Sequence, residues 1–313
     1  MKTTGKFFDI IKWFYPGMRV KRWMLLSVFG ILLIVIGSAQ FQVETIVFIK
    51  ILHAITVLSG VSLVMLSIKR ILRSFIAVFS PQREGNLLDL MYKKRQLERG
   101  PRLVVVGGGT GLSVILSGLK EYTSNITAIV TVADSGGSSG RLREQFDILP
   151  PGDIRNCLVA LADAPVLMRD LFQFRFDTNS EFHGHSFGNL FITVMTQLTG
   201  DFEKAIKESS KVLAIRGQVI PSTLNNVSLV AKYKDGSITE GEDQIPKVHK
   251  PIESVDLKPG DSLPTPEAIK AIEEAQIIIL GPGSLYTSII PNLLIKEITK
   301  GLVSIFSKKM DSK

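Results

Sequence analysis

Two uncharged apolar runs near the start of the chain limit what it can fold into. Trp23–Phe41 has 19 residues and Ile51–Ile68 has 18, with no Asp, Glu, Lys or Arg in either. Each reaches the length that crosses the hydrocarbon core of a bilayer, where only a helix or a closed barrel satisfies its own backbone. The connector Gln42–Lys50 is short and carries Glu44 as its one acid. A helical hairpin is therefore expected. Arg19, Lys21 and Arg22 precede the first run, and Lys69, Arg70 and Arg73 follow the second. Basic flanks at both outer ends predict that both ends face the cytoplasm. The expected location is the cell membrane, crossed by two helices, with the main domain in the cytoplasm. A cleaved signal peptide fits poorly, because the first run starts late and a second follows it. His53 reads as a neutral interfacial histidine.

Charge supports this division. The net charge is +8, and the mean hydropathy of +0.25 is high for a water-soluble protein. Residues 1–100 carry 15 Lys and Arg against 5 Asp and Glu, whereas the remainder carries 22 against 24. A nucleic-acid partner would want its basic surface on the globular part, so none is expected. A basic margin beside apolar helices suits anionic lipid. The lone cysteine, Cys157, excludes an internal disulfide and sits in an apolar run as a packing residue. The expected organisation is a basic segment with two membrane helices over 1–76, a linker over 77–100 and a nucleotide-binding domain over 101–313. The linker stretch Ser80–Gly100 includes Arg83, Lys93, Lys94, Arg95 and Arg99 beside a partial apolar stripe. It reads equally as a solvated helix or as an amphipathic helix at a membrane surface.

From Arg102 the pattern changes. Arg102–Val106 is a β-branched run of the kind found in buried parallel strands. Gly107, Gly108, Gly109, Thr110 and Gly111 follow, and Leu112, Ile115, Leu116 and Leu119 then recur at helical spacing. Strand, glycine turn and helix together make a phosphate cradle, in which close backbone N–H groups and the helix dipole meet an anion. The spacing is not the usual dinucleotide fingerprint, and the lysine of a Walker motif is missing. The plain alternative is a tight turn with no ligand. Ile126–Val132 and Ile277–Leu280 read as further strands. The alternation predicts an α/β fold, a Rossmann-like parallel sheet with helices on both faces.

Four more segments carry candidate chemistry. After the second strand comes Asp134, with Gly137, Ser138 and Ser139 as donors to anionic oxygen and Arg141 and Arg143 as phosphate clamps. Asp134 is also the one tentative metal ligand. Next, Leu149–Asn156 places Asp153 and Asn156 at a helix start, where Asp153 reads as a site residue or as a cap. Phe182–Asn189 offers His185 as a phosphate or substrate contact, with Ser186 and Asn189 as site residues or caps. His183 and His185 lack a third soft ligand for zinc. Finally, Gly281–Asn292 follows a buried strand and offers Gly283, Ser284 and Tyr286 to a second phosphate, a base or a sugar. No residue is assigned a catalytic role.

Taken together these segments resemble the YvcK/CofD-like family, and within it the gluconeogenesis-factor branch. The matching blocks are GGGTGLSVILSGLK from Gly107, TVADSGGSSGRLR from Thr131, LPPGDIRNCLVALAD from Leu149, GHSFGNL from Gly184 and GPGSLYTSIIPNLL from Gly281. The resemblance implies a regulator that binds UDP-sugars such as UDP-N-acetylglucosamine. It further implies a role in cell shape and wall synthesis during gluconeogenic growth, with cell-wall synthesis proteins and a second copy of the chain as candidate partners. The enzyme branch of the family implies an alternative, a magnesium-dependent 2-phospho-L-lactate transferase. Two departures bear on this. Relatives often have two acids where this chain has Asp134 and Ser135, which weakens a two-carboxylate metal site. Relatives also continue well past Leu294, so the domain is expected to be incomplete at its C-terminus, with a strand edge left uncovered.

Overall fold

The computed structural model describes residues 20–41, 46–79, 87–177 and 181–311. Arg19, Glu44 and Arg83 lie outside the described residues. The chain forms two compact units, Met1–Tyr92 and Lys93–Lys313.

In the first unit, helix α1 is Val20–Phe41 and helix α2 is Val47–Phe79. Both are long and apolar enough, by length and composition, to cross a membrane. They pack along a line of small residues. A Cβ on Gly60 would lie 2.6 Å from the Gly30 carbonyl, and one on Gly30 would lie 2.9 Å from the Gly60 carbonyl. Gly37 meets His53 and Val57, while the Arg70 guanidinium lies 5.0 Å from the centre of the Trp23 ring. These contacts descend α2 as they ascend α1, so the helices are antiparallel. Close backbone approach through glycine is a way apolar helices associate without a hydrophobic driving force. Leu25, Phe29, Leu32, Leu52, Ile55 and Leu58 point outward and are exposed. A valine at Gly60 should therefore push the helices apart. With Trp13→Phe as background, Gly60→Val is expected to shift Trp23 emission; an unchanged spectrum would count against this packing.

Helix α3 (Leu87–Glu98) carries the division between the units. Its last turn belongs to the second unit. Leu97 is buried, its carbonyl accepts from Ser124 N at 3.0 Å, and Lys93 pairs with Glu121 at 2.7 Å. The apolar stripe read in this linker is thus partly spent on the α/β unit.

The second unit is built on a four-stranded parallel sheet in the order β3-β2-β1-β7, from β1 (Leu103–Gly107), β2 (Ile126–Val130), β3 (Gln218–Pro221) and β7 (Ile277–Leu280). The central strands β1 and β2 are buried along their whole length, as a parallel strand covered on both faces must be. The helices are α4 (Gly109–Leu119), α5 (Gly137–Phe146), α6 (Gly152–Leu161), α7 (Val166–Gln173), α8 (Phe187–Thr199), α9 (Phe202–Val212), α10 (Pro266–Glu274), α11 (Ile290–Leu293) and α12 (Lys296–Asp311). Leu112 and Leu116 of α4, Ile154, Leu158 and Leu161 of α6, and Ile192 of α8 join Val105, Val106 and Ile129 in one core. Cys157 is buried there, and burial pushes its thiol well up, as expected of an inert packing residue.

The expected α/β fold is present, with two differences. Strand β2 stops at Val130 rather than Val132: Thr131 N makes the last bond to β1, at the Gly107 carbonyl, and β1 itself ends at Gly107. A second, antiparallel sheet of order β5-β4-β6 was not anticipated; it consists of β4 (Ser228–Tyr233), β5 (Ile238–Glu240) and β6 (Ile252–Lys258). Strand β7 pairs only with β1 among the described residues, and Ile277 and Leu280 are 46% and 45% exposed. An apolar edge of this kind is prone to pair with another strand.

Candidate functional site

All five glycine-rich or polar segments meet at the carboxyl end of the parallel sheet, where open α/β sheets bind their ligands. The first is the turn between β1 and α4. Gly108 caps α4 in an extended conformation, and Gly109 takes φ +68°. A Cβ on Gly108 would strike the Thr131 methyl and lie 2.9 Å from Asp153 Oδ2. Glycine is needed at these two positions, one for space and one for backbone conformation. The Gly109 N–H donates to Asp153 Oδ2 at 2.6 Å. Asp153 therefore does not cap its own helix. It reaches across to hold the cradle.

Asp153 is the main electrostatic feature. Burial raises its carboxyl to about 6, against the lowering effect of the Gly109 N–H, and the charges of Asp134 and Glu242 raise it further. Glu242, in the loop after β5, is raised by burial and by Asp134 and Asp243, and its carboxyl is hydrogen-bonded by Thr287. Three carboxyls thus face one another beside the cradle. Composition and spacing did not single out Glu242, because the acids around it in sequence look like an ordinary polar turn. Ser135 Oγ donates to Asp243 Oδ1 at 2.8 Å, so the loop after β5 brings a carboxylate to the place where relatives are expected to have a second acid.

The second half of the site is rich in donors. A cavity of about 160 Å³ is lined by Asp134, Gly136–Ser139, Gly152, Asp153, Arg155, Asn156, Arg175 and Asn189. Gly136 caps α5 without any side-chain partner, so the first-turn N–H groups of α5 open onto the cavity. Ser138 Oγ accepts from Asn189 Nδ2 at 3.0 Å and lies 3.0 Å from His185 Nδ1. His185 is held below the usual histidine range by burial and then by Arg141. A neutral imidazole accepting the Ser138 proton at Nδ1 satisfies both bonds. Arg155 donates to the Ser186 hydroxyl and, at 2.6 Å, to Asn156 Oδ1. Its Nε is buried with no partner, and so is Asn189 Oδ1. Burial lowers Arg155 to about 10, so it remains a cation. Two orphaned polar atoms at one cavity are a mark of a site completed by something else.

The remaining candidates divide. Asn156 lines the cavity. Ser186 caps α8, accepting from Asn189 N at 3.2 Å, and also meets Arg155. Gly283 lies against the cradle, where a Cβ would be 3.2 Å from the Gly108 carbonyl, and Gly111 packs on Pro282. Ser284 is a cap, accepting from Thr287 N. Thr110 and Tyr286 are exposed beside the cradle, and neither side chain is hydrogen-bonded among the described residues. Gly107 is buried, and its carbonyl takes Asn292 Nδ2 at 3.2 Å. Arg141 donates to the His183 carbonyl at 2.7 Å, so it braces the histidine loop. Arg143 lies 3.4 Å from Ser228 Oγ and is not part of the cavity lining, although the charge of Asp134 still reaches it. Arg175 takes a place on the cavity wall instead. It was missed because no glycine or strand signal surrounds it.

Magnesium can be tested against these donors. Among the described residues no three His, Cys, Asp or Glu side chains are arranged to hold a metal. Asp134 Oδ1 accepts from Gly136 N at 2.9 Å, which leaves Oδ2 free. Magnesium usually takes one or two carboxylates and completes its shell with phosphates and water. The donor set therefore fits a cation carried in on a diphosphate and does not fit a closed protein cage.

A parallel sheet with a glycine turn and a donor-lined cavity at its carboxyl end defines an α/β protein of Rossmann-like class. The chain belongs to the CofD family, whose model, described as 2-phospho-L-lactate transferase CofD, matches residues 103–310. A Nostoc sp. protein whose provisional name is gluconeogenesis factor is 47% identical over 319 residues, covering 96% of this chain and 70% of that protein. The Bacillus subtilis protein named gluconeogenesis factor is 52% identical over 210 residues, covering 67% of this chain and 66% of that one. A crystal structure of a Bacillus halodurans protein superposes with a TM-score of 0.63 at 52% identity, over 65% of this chain and 66% of that chain.

The raised Asp153 carboxyl makes stability depend on pH. The folded protein holds this proton up to about pH 6 and the unfolded chain loses it near 3.8. Folding is therefore favoured at low pH, and this contribution is lost as pH rises from about 4 through 6. Asp153→Asn should keep the bond to Gly109 N and remove the charge. It is expected to stabilise the domain at pH 7 by roughly 1–3 kcal/mol, and by much less at pH 4.5. Thermal melts of both proteins at the two pH values check this; equal differences at both would show that Asp153 carries no buried charge.

Proposed function

We propose that this protein is a membrane-tethered regulator that binds a nucleotide diphosphate sugar of the UDP-N-acetylglucosamine type and acts on cell shape and wall synthesis during gluconeogenic growth. One observation carries the ligand: donors and acceptors meet in a single site. The α5 N-terminus, Arg155 and Arg175 present donors suited to phosphate oxygens in the cavity, and the cradle turn is tied to it through Asp153. Asp134, Asp153 and Glu242 present acceptors beside them, and sugar hydroxyls are donors. A bare inorganic anion would leave the acidic side unused. The name of the Bacillus subtilis relative supports the physiological part of the reading. The tether rests on the two apolar helices, whose outward faces need an apolar environment. Calorimetry with UDP-N-acetylglucosamine on the full chain in detergent tests the reading. Saturable heat is expected, and Gly108→Ala should weaken it at least tenfold. No heat from the wild-type chain would overturn it.

The three clustered carboxyls favour a second reading, a magnesium-dependent transferase like the enzyme that names the family model. In it Asp134 Oδ2 would hold the cation, which would neutralise charge on the diphosphate, and Arg155 would steady the departing nucleoside monophosphate. The phospholactyl group would pass to the acceptor alcohol oxygen, and its proton would leave to solvent. The assay is release of GMP from a lactyl diphosphoguanosine donor in the presence of the deazaflavin alcohol. Release that fails in Asp134→Asn supports transfer; binding without release supports the regulator.

A further inference from the structure

Helices α4, α6 and α7 enclose a second hollow, separate from the cradle cavity. This groove of about 510 Å³ is lined by Ser113, Val114 and Ser117 of α4, by Asn156, Val159 and Ala160 of α6, and by Val166, Arg169, Asp170 and Gln173 of α7, with Lys120 at its end. Its volume lies in the range of small-molecule sites.

The groove carries cations without matching anions. The Arg169 side chain makes no hydrogen bond and no ion pair among the described residues, and its Nε is buried without a partner. Arg216, nearby, is already satisfied, with Asp163 at 2.9 Å and Glu121 at 3.7 Å. Lys120 Nζ donates to the Ala162 carbonyl at 2.8 Å, a neutral acceptor, and has two protons left. Burial, then the charges of Arg169 and Arg216, hold Lys120 below the usual lysine range against the opposing charges of Asp163 and Glu121, so Lys120 lies within reach of both arginines. Asp170 lines the rim but lies beyond ion-pair distance of either cation. The hydroxyls are not the missing partners, since Ser113 and Ser117 already donate to the carbonyls of Thr110 and Ser113. Asn156 accepts from Arg155 through Oδ1, which leaves its Nδ2 as a donor. Opposite these groups Val114 and Val166 are 73% and 61% exposed and, with Val159 and Ala160, make an apolar wall.

We propose that this groove is a second ligand site, which takes a small organic anion whose phosphate or carboxylate head meets Arg169 and Lys120 and whose apolar body lies on Val114, Val159 and Val166. An unpaired guanidinium with a buried Nε gains a charge-assisted hydrogen bond when an anion arrives, and that bond is stronger than a neutral one. Asn156 lines both the groove and the cradle cavity, and through Arg155 it touches the donor side of the latter. An anion that engages Asn156 Nδ2 is thereby coupled to the first site. The site does not depend on a nucleotide sugar being the ligand of the cradle.

The test is fluorine NMR on the full chain in detergent, with 4-fluorophenyl phosphate and 4-fluorobenzoate as probes. Saturable broadening of at least one probe is expected, and the one that broadens names the head group. Arg169→Gln should weaken binding at least fivefold, and Arg169→Lys should recover part of it. The fold should be unaffected, because the Arg169 side chain has no partner among the described residues; matching thermal melts verify that. Gly108→Ala, which damages the cradle alone, should leave probe binding intact. Equal binding by Arg169→Gln and wild type would overturn the proposal, as would loss in Gly108→Ala or failure of both probes to bind the wild type.

Discussion

The bond from the Gly109 N–H to Asp153 Oδ2, 2.6 Å long, ties the two halves of the site together. It joins the turn after β1 to the start of α6, segments far apart in sequence. Its acceptor sits in surroundings that penalise its charge, with Asp134 and Glu242 nearby. Such a carboxylate persists only where the structure over-determines it. Here the determinants are sequence-local: Gly108 has no Cβ to displace the carboxyl, and the prolines before Gly152 fix the entry into α6. With Asp153 placed, Arg155 and Asn156 are carried onto the same cavity by the helix, since residues two and three further on stay near its exposed first turn.

Much of this architecture was legible from residues alone. A β-branched run, a glycine cluster and a leucine helix in succession allow little but a strand, a tight turn and a packed helix, and β1, Gly108–Gly109 and α4 follow that order. The same logic found β2 and β7. It did not find β4, β5 and β6. Their alternation of buried and exposed residues is short and interrupted by charges, and antiparallel pairing depends on partners distant in sequence. Site residues divide in the same way. Those announced by glycine or by a strand end, such as Asp134 and Ser138, were readable. Glu242 and Arg175 were not, because each is brought in by a loop whose path only tertiary packing decides. Arg143 shows the converse: a plausible clamp by spacing, it donates to Ser228 Oγ and does not line the cavity.

Several cap-or-site alternatives resolve into both or neither. Ser186 caps α8 and receives Arg155 at once, so a substitution there would damage a helix start and a cation together. Ser284 is a cap whose hydroxyl has no further partner among the described residues. Asp153, which looked most like a cap, is none. A hydroxyl or carboxyl at a helix start is ambiguous in sequence because the same atom that satisfies N3 can be drawn away by a stronger donor, and a glycine N–H next to an empty β-carbon position is such a donor.

The meeting of donors and acceptors around the cradle also constrains which ligands the site can hold. A diphosphate placed alone beside Asp134, Asp153 and Glu242 would meet like charge in a poorly solvated space, where burial first and neighbouring carboxylates second already raise the carboxyls of Asp153 and Glu242. There are three ways to relieve the clash. A carboxyl can take a proton, which Asp153 does near pH 6; a divalent cation can enter with the phosphates; or hydroxyl donors on the ligand can occupy the acidic side while phosphates stay with Arg155 and the α5 amides. The first weakens binding as pH rises. The second requires that a carboxylate oxygen remain uncommitted, and Asp134 Oδ2 meets that requirement. The third requires acceptors and donors within one cavity, and Asp153 and Arg155, both on α6, supply them. A ligand bearing both diphosphate and hydroxyls satisfies the second and third together, whereas a simple anion satisfies only the first.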